Sequence, residues 1–190
     1  MKPIKILHLY PDRMNIYGDF GNIISLTNRM EWRKVSFEYH TSSIGNKLSL
    51  DYDLIFMGGG QDKGQIAVAK DLQTKSSVLH DHLMRDVPIL TICGAYQLFG
   101  KYFITAEGNE IPGIGLFNVV TKATEYRMIG NIVISNDIFG EMVGFENHSG
   151  ETELLHGASP LGRVIKGYGN TKTSNYEGVI EKNAIGTYLH

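Results

Sequence analysis

The chain of 190 residues holds a single cysteine, five prolines and one tryptophan, and it contains no long apolar run. Each scarcity excludes something. One cysteine cannot form a disulfide within the chain, which suits a reducing compartment and predicts a cytoplasmic protein. No stretch approaches the roughly eighteen apolar residues that span a bilayer, so no membrane insertion is expected. The opening segment MKPIKILHLY keeps a polar alternation and has no small-residue cleavage site, so it does not read as a signal peptide. An excess of either charge is also missing: 18 basic residues face 20 acidic ones, for a net charge of −2. With no basic block or basic-aromatic stripe, nucleic acid is not an expected partner. His80 and His82 stand two apart, do not share a helical face and have no supporting cysteines, so no zinc site is expected.

What is present reads as one globular domain over residues 1–190, since no Pro- or Ser-rich linker and no repeat divides the chain. Apolar runs at 4–10, 35–40, 53–57 and 88–92 predict strands. Between them the pattern turns helical: from Asp19, placed as an N-cap ahead of Ile23, Ile24, Leu26 and Met30, then over 61–72 and 75–86, and again from Gly94. Strands alternating with helices imply crossover units and a parallel sheet. The second half changes texture. Gly and Asn punctuate short alternating runs at 115–121, 127–135, 142–148, 163–169 and 176–180, which predict shorter, partly antiparallel strands added to the parallel core.

The stretch TICGAYQLFG at 91–100 carries the chemistry. A buried strand reaches Cys93 and a helix starts right after Gly94, which is the pattern of a nucleophile elbow. The glycine removes a side chain that would collide with the turn. A helix N-terminus behind the sulfur favours thiolate over thiol and aims N–H groups where an oxyanion would form. A core cysteine at a strand end is the alternative that the residues alone leave open.

CGAYQLFG resembles the nucleophile motif of class I glutamine amidotransferases, in the branch that contains cobyric acid synthase. Within that branch the chain most resembles the glutaminase subunits of lipid II isoglutaminyl synthases. The resemblance runs through NIYGDFGNI (15–23), FMGGGQD (56–62), ILTICGAYQ (89–97), VGFENHSG (143–150), GYGN (167–170) and GTYLH (186–190). It implies a three-layer α/β domain with a mostly parallel central sheet and added antiparallel strands. It also implies a glutaminase in which Cys93 attacks L-glutamine and His190 acts as base, favoured over His148. Backbone N–H groups of Gly59, Gly60 and Gly94 would form the oxyanion hole, and Arg127, Gln97 and His148 would bind substrate; the resemblance also leaves open a place in the site wall for Asp19 and Asn22, which most simply cap a helix. The glycine triplet itself is no phosphate loop, because Gln61-Asp62 replace the Lys-Ser/Thr pair.

No cofactor is expected in this chain. ATP and magnesium would belong to a Mur ligase-like synthetase that forms a heterodimer with it and receives the ammonia. Two departures stand out. Ala95 replaces a second glycine beside the cysteine, and the chain stops at His190, where related chains continue, so it reads as truncated or unusually short. No acidic residue follows the base, so the resemblance implies either a Cys-His pair or an acid supplied by the partner. An imidazole on the last residue is expected to be mobile, and the isolated chain slow. Two other readings remain at this point: a cobyric acid synthase-type amidotransferase, and a non-catalytic binding subunit on the same fold.

Overall fold

The structure is a computed structural model that describes residues 2–49, 51–60 and 62–190. In chain order its elements are β1 (Ile4–Leu9), α1 (Phe20–Trp32), β2 (Phe37–Ser42), β3 (Leu54–Met57), α2 (Asp62–Met84), β4 (Ile89–Ile92) and α3 (Gly94–Phe99). Eight strands follow: β5 (Tyr102–Ile104), β6 (Glu110–Pro112), β7 (Val119–Asn136), β8 (Gly140–Leu154), β9 (Gly162–Lys166), β10 (Tyr176–Glu177), β11 (Val179–Glu181) and β12 (Ala184–Thr187). The first sheet has the order β11-β12-β4-β3-β1-β2. It is parallel from β12 through β2, and only β11 runs antiparallel. The mixed second sheet has the order β10-β9-β7-β5-β6, with β8 on the other edge of β7.

The helical reading of the first half holds with one change. The two stretches expected at 61–72 and 75–86 form a single helix, α2, and Gln61 lies outside the described residues. Its inward stripe is Gln65, Val68, Ala69, Leu72, Lys75, Leu79, His82 and Leu83, all buried, at the i, i+3, i+4 spacing of one helix face. Lys75 and His82 occupy that stripe as polar residues, which hides its continuity from a hydrophobicity reading. Lys75 is compensated by the Asp71 carboxylate, the Tyr10 hydroxyl and the Ser43 carbonyl, as a buried charge requires. In the second half, the runs expected at 115–121 and 127–135 belong largely to one long strand, β7. Its pairing with β8 slips once: Ala123 faces Gly150 and Met128 faces His148, so Thr124, Glu125, Tyr126 and Arg127 lie opposite the single Ser149. This bulge interrupts the period-two alternation that a strand reading depends on.

The core lies along the central strands, where β1, β3 and β4 bury Ile6, Leu7, Leu9, Ile55, Phe56, Met57, Ile89 and Ile92. Tyr96 of α3 packs onto β12 where Gly186 leaves room, since a β-carbon there would lie 2.3 Å from the Tyr96 ring. Filling that gap with an aromatic ring contributes about 1.5–3 kcal/mol and locks α3 to the strand that leads to His190. Among the described residues, no helix is long and apolar enough to cross a membrane.

Candidate active site

Strand β4 ends at Ile92 and α3 begins at Gly94, so Cys93 alone makes the turn. Its backbone has φ +52° and ψ −108°, a conformation that costs an L-residue on the order of 1–3 kcal/mol and persists only when its surroundings impose it. Those surroundings are on both sides. The Cys93 N–H donates to the Thr187 carbonyl of β12 at 2.8 Å, and the Cys93 carbonyl accepts the Gln97 N–H at 3.1 Å. Gly94 is required next: a β-carbon there would lie 2.2 Å from Gln65 Nε2 and 3.0 Å from the Gly60 amide nitrogen. The cysteine is nearly buried, at 8% exposure.

Strand β12 runs parallel to β4 with Thr187 opposite Ile92, so His190 is carried past the same end of the sheet as Cys93. The expected mobility of the last residue is not what the structure shows. The His190 N–H donates to the Phe145 carbonyl at 2.9 Å, and its carbonyl accepts the Phe145 N–H at 3.2 Å. Strand β8 of the second sheet thus lends backbone partners to the end of the first. The ring is held as well, with Nδ1 at 2.6 Å from Asp19 Oδ1 and the side chain 4% exposed.

The contact of Asp19 with His190 is what the sequence reading missed, having offered Asp19 only as a helix cap or a part of the site wall. Asp19 was expected to cap α1, but its side chain makes no capping bond. Asn15 Oδ1 accepts the Phe20 N–H instead, at 2.8 Å, which frees the Asp19 carboxylate to turn inward. There Oδ1 faces His190 and Oδ2 accepts the Gly59 N–H at 2.6 Å. An acid from the same chain therefore meets the histidine, where either no acid or one from a partner was expected. By accepting from Nδ1–H, it leaves the imidazole lone pair on Nε2. The only sequence signal was the NIYGDFGNI stretch, and spacing could not bring it to a histidine 171 residues away. Behind Asp19, burial lowers the His8 imidazole to about 4 against the pull of the Asp19 charge, so His8 is neutral.

The other expected site residues fall into place unevenly. A β-carbon on Gly59 would lie 3.2 Å from both Cys93 Cβ and Asp19 Oδ2, so bare backbone separates Cys93 from the Asp19 carboxylate. Because its N–H is given to Asp19, Gly59 differs from the expected oxyanion donor. The Gly60 amide lies beside Gly94. Gln97, expected to touch substrate, is buried with both amide ends engaged: Oε1 accepts from Gln65 at 3.2 Å and Nε2 donates to the Tyr188 hydroxyl at 3.2 Å. His148 also lies inside. Its ring stacks on Tyr188 at 3.5 Å with a 2° interplanar angle, and Nδ1 bonds the Gly150 carbonyl at 2.8 Å. Arg127 alone of the set is exposed. The β7 bulge projects it, and Asn147 Oδ1 holds its Nε at 2.5 Å. Among the described residues, no cluster of three or more histidine, cysteine or acidic side chains is arranged to hold a metal.

This fold is that of the glutamine amidotransferases. Solved structures that share it include PurLQS from Thermotoga maritima, with a TM-score of 0.68 at 16% identity, covering all of this chain and 88% of the other. A glutamine amidotransferase from the same organism has a TM-score of 0.63 at 17% identity, covering all of this chain and 76% of the other. At the level of sequence, residues 5–190 match the CobB/CobQ-like glutamine amidotransferase domain, and the chain belongs to that family. Two similar relatives are named lipid II isoglutaminyl synthase (glutamine-hydrolyzing) subunit GatD. The Staphylococcus aureus protein is 39% identical over all of this chain and 78% of its own length. The Streptococcus pneumoniae protein is 38% identical over 98% of this chain and 73% of its own length. A probable cobyric acid synthase of Methanothermobacter thermautotrophicus is 35% identical over 57% of this chain and 24% of its own length.

Proposed function

We propose that this chain is the glutamine-hydrolysing subunit of a lipid II isoglutaminyl synthase, supplying ammonia to a Mur ligase-like synthetase subunit in the cytoplasm. The likeness to the two GatD subunits, 39% and 38% identical over 100% and 98% of this chain, supports this assignment over the cobyric acid synthases, which are 24–35% identical over 54–80% of it. The observation that carries the catalytic part is the buried His190–Asp19 pair beside the strained Cys93 turn.

The chemistry follows from that geometry. Asp19 holds His190 as the Nδ1–H tautomer, so Nε2 takes the thiol proton of Cys93. The thiolate attacks the side-chain amide carbon of glutamine, forming the C–S bond and placing the electron pair on the amide oxygen. Backbone N–H groups of Gly60 and Gly94 stabilise that oxyanion, each contributing on the order of 3 kcal/mol in comparable sites. The imidazolium returns its proton to the leaving nitrogen, ammonia departs and a thioester remains. Nε2 then deprotonates water, which attacks the thioester carbon, and the sulfur leaves with glutamate released. Arg127 binds the glutamine carboxylate through its planar fork.

The assay is ammonia release from glutamine by this chain mixed with a Mur ligase-like subunit, ATP, magnesium and lipid II, followed by mass analysis of the lipid product. Amidated lipid II that depends on this chain is the expected result. Glutamine consumption without amidated lipid II refutes the lipid II assignment, and absence of any glutamine hydrolysis refutes the glutaminase.

A further inference from the structure

The proposed chemistry makes no use of Glu177, a fully buried carboxyl on β10. We infer that Glu177 is a positioning residue that sets Cys93 and His190 relative to one another through Thr187. The inference rests on the Cys93–His190 reading above and adds a residue from outside the reacting set.

The geometry is specific. Glu177 Oε1 accepts the Tyr188 N–H at 2.6 Å, and its two oxygens lie 3.1 and 3.0 Å from the Thr187 hydroxyl, which donates to them. That hydroxyl in turn accepts the Leu189 N–H at 3.1 Å, while the Thr187 carbonyl accepts the Cys93 N–H at 2.8 Å. The Cys93 amide and the two amides leading to His190 are therefore all tied to Thr187 and Glu177. A carboxyl suits such a clamp, because one oxygen accepts the Tyr188 N–H in either protonation state while the group shares a hydrogen bond with the Thr187 hydroxyl. Its own strand does not need it. Asn170 fixes the adjacent turn by bonding both the N–H and the carbonyl of Gly178, at 2.8 and 3.0 Å. The carboxyl thus acts on β12, the strand that delivers the base.

Burial pushes the Glu177 carboxyl up, the Tyr188 amide and Thr187 hydroxyl pull it back, and the Glu146 charge on β8 pushes it up again, to about 8. Among the described residues the Tyr96 phenol of α3 also feels the Glu177 charge and is raised chiefly by burial, while the phenol of Tyr188, just past β12, is raised by burial and bonds Gln97 and Thr152 instead. Ionisation converts the bonds from the Thr187 hydroxyl and the Tyr188 N–H into charge-assisted ones, roughly twice as strong as neutral ones.

The test uses a glutamine-derived chloromethyl ketone, in which the Cys93 thiolate displaces chloride from the methylene carbon. The maximal alkylation rate and the half-saturating concentration are measured for wild type, E177A and E177Q. E177A should lower the maximal rate about tenfold to a hundredfold, as misplacing reacting groups by about 1 Å does, with the half-saturating concentration nearly unchanged. E177Q keeps an acceptor for Tyr188 and a donor for Thr187, so it should recover most of that loss near pH 6.5. It cannot ionise, so the ratio of wild-type to E177Q rate should climb severalfold between about pH 6.5 and pH 9. If E177A does not fold, the pH series decides alone. A flat ratio, or an E177A loss confined to the half-saturating concentration, overturns the inference while leaving the glutaminase reading intact. A wild-type chain that does not react at all overturns that reading and the inference with it.

Discussion

Replacing Asp19 with asparagine keeps the shape of the side chain but turns one of its two acceptors into a donor. The structure dictates which atom ends up where. One carboxylate oxygen faces the Gly59 N–H, a donor fixed in backbone, and the other faces His190 Nδ1. The asparagine oxygen must stay on Gly59, because two N–H groups cannot face one another in a buried site without costing about 1–3 kcal/mol. Its NH2 group then points at Nδ1 and forces the proton onto Nε2, the wrong tautomer for accepting a proton from Cys93. In serine proteases the same substitution of the triad acid costs about 10⁴-fold in kcat, and a loss of about 10³–10⁴-fold, or about 4–5.5 kcal/mol, is expected here. The assay is glutamine-dependent ammonia release with the synthetase present, alongside circular dichroism to show that D19N is folded. KM for glutamine should change little, because in the proposed mechanism Asp19 acts on His190 and not on glutamine. Activity of D19N within about threefold of wild type refutes the triad role of Asp19 and returns the acid to a partner subunit.

Three further outcomes can be checked with the same protein. C93S should abolish glutamine hydrolysis with the fold intact, since a serine hydroxyl is far less ionised than a thiol near neutral pH; near-wild-type turnover ends the cysteine mechanism. R127K should raise KM for glutamine and R127A should raise it more, because lysine keeps the charge without the two-pronged geometry; unchanged KM in both makes Arg127 a surface residue. Glu177 binds its proton more tightly in the folded than in the unfolded chain, so its contribution to stability falls as pH rises from the ordinary carboxylate range to about 8. The Tm of E177Q relative to wild type should therefore climb between about pH 5 and pH 9, and a constant difference refutes the raised proton affinity.

The sequence alone determined a great deal near the cysteine. A short apolar run, one cysteine and a following glycine are contiguous, and local sterics settle what they build: a strand, a forced turn and a helix. The alternation of strands and helices before it likewise predicted a parallel sheet, because each element shows its own period. Where polar residues sit inside an element, that legibility fails. Lys75 and His82 in the buried stripe of α2 split one helix into two expected ones, and the bulge at Thr124–Arg127 concealed the continuity of β7. Only the tertiary structure decided the partners of the histidine. Asp19 reaches His190 across 171 residues because Asn15 takes over the helix cap, and β8 secures the end of the chain through Phe145. It also decided that Gln97, His148 and Glu177 face inward. Hydrogen bonds are satisfied in three dimensions, and a carboxylate reads the same in sequence whether it caps a helix, meets solvent or holds a base.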